Sequence, residues 1–74
     1  MSGLPRISGR DAIAALAKVG FEKDGQKGSH VVLRYRAPPY RRIVVPDHRE
    51  LAAGTLRAII RQAGLTVEEF SALL

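Results

Sequence analysis

The chain has 74 residues, 46% of them hydrophobic and 26% charged, and it contains no cysteine. It is too apolar for a disordered tail and too short for more than one domain, so the expectation is a single domain over residues 1–74. Disulfides and thiolate metal sites are excluded. No apolar run approaches the roughly 18–20 residues of a membrane span. The opening residues, Met1-Ser2-Gly3-Leu4-Pro5-Arg6, hold no apolar stretch that would act as a signal peptide, so a cytoplasmic protein with no membrane partner is expected.

A first helix is predicted from Ser8. Ser8-Gly9-Arg10-Asp11 has the form of an N-cap with an acid three residues on. Ile13, Leu16 and Ala17 follow at helical spacing, and Gly20 is the natural stop. Phe21-Glu22-Lys23 then reads as a brief strand, with Asp24-Gly25 as a hairpin turn. Residues 29–36 alternate: Val31, Leu33 and Tyr35 on one side, His30, Val32, Arg34 and Arg36 on the other. Ala37-Pro38-Pro39-Tyr40 is a loop, and Arg42-Ile43-Val44-Val45 a third strand that Pro46 ends. A second helix carries Leu51, Leu56, Ile59, Ile60 and Ala63 on one stripe, starts near Gly54 or Thr55, and stops at Gly64. Thr66-Val67-Glu68-Glu69 caps a short last helix with Phe70, Leu73 and Leu74. The predicted fold class is α+β, in the order α-β-β-β-α. A three-stranded antiparallel sheet would have the helices on one face, because one sheet face must be buried.

Twelve Lys and Arg against seven Asp and Glu give +5, and the excess is concentrated. Residues 23–49 hold seven cations and two acids, so this segment carries the whole net charge. A basic middle between near-neutral ends suits a polyanionic partner, nucleic acid first. A solvated basic surface is the plainer explanation of the same charge.

Strand register sharpens this. With Val31 and Leu33 buried opposite Ile43 and Val45, odd positions face odd and even face even. The even face then carries His30, Arg34, Arg36 and Arg42. Pairing Arg36 with Arg42 places His30 opposite His48; the neighbouring register places it opposite Pro46. Either way the two histidines are expected near one end of a basic face that also holds Lys27. Such a set can cleave RNA without a metal. A base removes the ribose 2′-hydroxyl proton, cations steady the phosphorane, and an acid protonates the leaving oxygen. Imidazole suits the base because its ordinary pKa of about 6.5 lies near working pH. Two exposed histidines are also common surface decoration. Zinc would need four ligands, two-metal chemistry would need clustered acids, and Gly25 to Gly28 is no phosphate-cradling loop. No metal and no small-molecule cofactor is expected.

Five segments occur in one order and spacing: Gly20-Phe21, Lys27-Gly28-Ser29-His30, Val45-Pro46-Asp47-His48, Ala53-Gly54-Thr55-Leu56-Arg57-Ala58-Ile59 and Ala63-Gly64-Leu65-Thr66. Together they resemble the HicA family of RNA-cleaving toxins, over residues 7–74. The resemblance implies a fold like the double-stranded RNA-binding domain. It also implies an mRNA interferase of a type II toxin–antitoxin pair, silenced by a HicB-like antitoxin. The family's catalytic histidine falls on His30. Its Val-Pro-x-His segment falls on His48, as substrate contact or loop structure. Lys27 and His48 are candidate assistants to His30. Lys27, Ser29, Arg34, Arg36, Arg41 and Arg42 are candidate RNA contacts. The loop Ala37-Pro38-Pro39-Tyr40-Arg41 departs from the shorter turn expected of the family. The alternatives are a non-catalytic RNA-binding module of the same fold and a subunit whose basic face docks an acidic protein.

Overall fold

The computed structural model describes residues 3–74. Of the leader residues read above, Met1 and Ser2 lie outside them. Helix α1 spans Gly9–Ala17, strands β1, β2 and β3 span Phe21–Lys27, His30–Tyr35 and Arg42–Pro46, and helices α2 and α3 span Ala53–Gln62 and Val67–Ser71. The sheet is antiparallel in the order β1-β2-β3. The predicted α-β-β-β-α order, with both main helices on one sheet face, is the observed one: α1 packs on β1 and β3, α2 on β3, and α3 on α2.

Helix α1 begins where the capping box places it. Ser8 Oγ accepts from the Asp11 N–H at 3.0 Å, and the Ser8 N–H donates to Asp11 Oδ2 at 3.2 Å. Two of the helix's orphan donors are thereby satisfied. Its buried stripe is Gly9, Ala12, Ala15 and Leu16, not the expected Ile13, Leu16 and Ala17. Ile13 is half-buried and Ala17 is exposed. The cause is close approach. A Cβ at residue 9 would overlap the Pro46 carbonyl oxygen, so only glycine lets the helix start rest on the end of β3. Small residues win the contact face, and the bulkier Ile13 is displaced to the flank.

Strand β1 differs from expectation in a way that matters later. Asp24-Gly25 is not the hairpin turn. The ladder pairs Lys23 with Leu33 and then Gly25 with Val32, leaving Asp24 as an extra, bulged residue. A bulge and a turn both favour a Gly beside a small polar residue, so the dipeptide alone does not separate them. The turn is Gly28-Ser29, between the paired Lys27 and His30. Gly28 takes φ +59°, as the first position of a tight two-residue hairpin loop requires.

Val31, Leu33, Ile43 and Val45 turn inward and meet Ala12, Ala15, Leu16, Phe21, Leu51, Leu56, Ile59, Ile60 and Phe70 in one core. Tyr35 is half-buried and lies edge-on to Phe21, with ring centroids 5.1 Å apart. Leu51 reaches the core from the chain ahead of α2, held by its N–H to the Ile7 carbonyl at 2.8 Å. Gly20 and Gly64 follow the helix ends at φ +101° and +76°. The Thr66–Glu69 capping box opens α3 and drives Phe70, fully buried, into the core.

Candidate active site on the open sheet face

The even register alternative is the observed one: His30 pairs with Pro46, Val32 with Val44, and Arg34 with Arg42. Cross-strand partners share a face. The face away from the helices therefore carries three rows: Lys27, His30 and Pro46; Gly25, Val32 and Val44; and Glu22, Arg34 and Arg42.

The bulge sets the first row. From Phe21, which points into the core, uninterrupted alternation would send Lys27 inward as well. The extra Asp24 shifts the count by one, so Lys27 emerges on the open face opposite His30. At this position paired Cβ atoms stand about 5 Å apart. His30 is exposed, and among the described residues its ring makes no hydrogen bond or ion pair. Its ring is thus free to meet a substrate.

Ser29 and His48 sit at the same end of the sheet. Ser29 occupies the turn, exposed, and its carbonyl accepts from the Asp47 N–H at 2.6 Å. That bond continues the β2–β3 pairing one step past Pro46. His48 then leaves the ladder. Its carbonyl accepts from the Gly9 N–H at 2.9 Å, and its exposed ring borders a hollow of about 340 Å³ shared with Ser8, Arg10, Asp47 and Arg49. Arg10 Nε donates to Asp47 Oδ1 at 3.2 Å. The two imidazoles share an end of the sheet, and no hydrogen bond joins them.

The arginines divide. Arg34 is paired: its Nη2 donates to Asp24 Oδ2 at 3.0 Å, and Glu22, on the same strand as Asp24, stands directly across the ladder from it. Arg42 is exposed on the same row, and among the described residues its guanidinium has no partner. Arg36 lies just past β2, its N–H bonded to the Gly20 carbonyl at 3.0 Å, and is exposed. Arg41 faces the other way. Its odd parity sends it to the helix side, where Nη1 donates to the Gln62 carbonyl at 3.0 Å at the end of α2. A cation there satisfies a terminal carbonyl and favours the negative helix end. The structure thus brings together Lys27, His30, Arg34 and Arg42 on one face, sets Arg36 beside Glu22, Asp24 and Arg34 at its far end, places Ser29 and His48 at its rim, and separates Arg41 from it.

Sequence reasoning missed the roles of Asp24 and Glu22, the acids that flank Arg34. Once Asp24 is seen as a bulge its place beside Arg34 follows from pairing. A separate hollow of about 330 Å³, lined in part by Phe21, Tyr35, Pro38, Pro39 and Arg41, lies at the opposite end of the sheet from His30. Among the described residues, no three His, Cys, Asp or Glu side chains gather as metal ligands would, and no helix is long and apolar enough to cross a membrane.

No curated protein matches the chain. A family model described as the HicA toxin of bacterial toxin–antitoxin systems matches residues 9–65. That stretch runs from the start of α1, through the whole sheet and its open face, to the end of α2. The chain therefore belongs to the HicA toxin family, the toxin side of toxin–antitoxin systems.

Proposed function

We propose that the chain is an endoribonuclease that cleaves mRNA in the cytoplasm with His30 as general base, needs no metal, and is silenced by a HicB-like antitoxin. The observation that carries this reading is the His30 ring: exposed, uncommitted, and directly across the ladder from Lys27. His30 takes the proton of a ribose 2′-hydroxyl. The freed oxygen attacks the adjacent phosphorus, the P–O5′ bond breaks, and the leaving oxygen takes up a proton. The products are a 2′,3′-cyclic phosphate and a 5′-hydroxyl. The Lys27 ammonium steadies the charge that builds on the phosphorane. His48, at the rim, assists as proton donor or substrate contact, and Ser29 and the arginines hold the RNA.

The test is labelled RNA incubated with the purified protein in EDTA. Cleavage by the wild type that His30→Ala abolishes supports the enzyme. Binding with no cutting by the wild type would identify a non-catalytic RNA-binding module of this fold. Cleavage that survives His30→Ala overturns the assignment of the base.

A further inference from the structure

Between the histidine row and the arginine row, the open face carries no charge. Gly25, Val32 and Val44 are cross-strand neighbours there. The space above Gly25 is open, Val32 is half-buried, and Val44 is 48% exposed. Along β2, Arg34 lies four residue steps from His30, a span of about 13 Å at the usual rise of a strand. The acids crowd the β1 side of the far row, where Asp24 holds Arg34. The β3 side keeps the unpartnered Arg42. A polyanion crossing this face thus meets the free Lys27 beside His30, an apolar floor, and beyond it Arg42 on the β3 side, with Arg36 past the end of β2 beside the acids.

The geometry points to Val32 and Val44 as the seat of a nucleoside, and to Arg42 as a phosphate anchor about two nucleotides from the cleaved linkage. The substrate is then single-stranded RNA lying along β2 and β3. This rests on the reading that His30 marks the scissile linkage. A single strand can lay an unstacked base on an aliphatic floor while its phosphates reach both cations. A duplex keeps its bases stacked inside and cannot. An aliphatic floor reads no hydrogen-bonding edge, so this seat accepts any base.

The experiment is equilibrium binding of 2′-O-methyl oligoribonucleotides of increasing length, which lack the attacking hydroxyl. Affinity should rise about tenfold once the strand spans Lys27 to Arg42, the worth of one charge-assisted phosphate contact. Arg42→Ala should remove that step and lower the salt slope by about 0.7, the share of one phosphate in a single strand. Arg61→Ala, exposed on α2, should keep the step. Val44→Tyr should tighten single strands about tenfold by base stacking and leave duplex binding unchanged. The proposal is overturned by absence of the step, by its survival in Arg42→Ala, by its equal loss in Arg61→Ala, or by no tightening of single strands in Val44→Tyr. The RNA used cannot be cut, so these results stand apart from the His30 cleavage assay, which alone decides the base.

Discussion

Lys27 faces His30 across the β1–β2 ladder because β1 carries one residue more than β2 needs. The surplus is Asp24, bulged between Lys23 and Gly25. One inserted residue does two jobs: it re-aims the lysine, and it supplies the carboxylate that binds Arg34.

Deletion of Asp24 is therefore expected to restore plain alternation and turn Lys27 to the helix side. RNA cleavage should fall at least about tenfold, because a cation aimed at developing charge is lost. Asp24→Asn keeps the extra residue and should keep the lysine in place. A nuclease assay on both variants, with circular dichroism to confirm folding, separates geometry from charge.

Asp24→Asn also frees Arg34. RNA binding should tighten, and the slope of log affinity against log salt should steepen by up to about 0.7. The fold should lose less than about 1 kcal/mol, since both partners of this ion pair reach solvent, at 47% and 38% side-chain exposure. Fluorescence titration at several salt concentrations, beside chemical denaturation, measures both effects.

His30→Ala should cut the cleavage rate by a factor of about 100 or more, the usual worth of a general base. Stability should change by no more than about 0.5 kcal/mol, because the ring is exposed and has no bonded partner to strand. Antitoxin binding should persist. A collapsed melting curve would show that the ring supports the fold instead.

Gly9→Ala adds a methyl group where the Pro46 carbonyl already stands. The helix must back away from β3, at a cost of about 1–3 kcal/mol. In a domain this small, that is a large part of the total stability, and urea denaturation should show it as an earlier midpoint.

Saturating antitoxin should raise the thermal midpoint. A partner that binds only the folded chain adds about 2.7 kcal/mol at a hundred times its dissociation constant, which here means about 10 °C or more. Association should slow steeply with salt if the partner presents acids to the basic face. Differential scanning calorimetry and stopped-flow mixing test these separately.

Much of the fold was legible in the residues. Two capping boxes marked the starts of α1 and α3, and Gly20 and Gly64 marked two ends. The parity of Val31, Leu33, Ile43 and Val45 put His30, Arg34 and Arg42 on the outer face, and one of the two registers considered is the real one. Two things were not legible. The inward side of α1 is decided by how near the helix can come to Pro46, which favours Gly and Ala over Ile, whereas periodicity weighs hydrophobicity alone. The bulge was hidden because Asp-Gly announces a turn as readily as an extra strand residue, and Gly28-Ser29 offered a second turn three residues on. Arg41 lies off the open face for a related reason: its parity is that of the core, and α2 offers it a carbonyl there.

The end of the sheet that bears His30 is tied to distant parts of the chain. Gly9 holds the His48 carbonyl, Asp47 holds the Ser29 carbonyl, and Arg10 holds the Asp47 side chain. The corner proposed to carry the chemistry is thus laced to the beginning of α1. On warming, helical signal and RNA cutting should vanish together at one temperature, with no interval in which a folded but blunted protein survives.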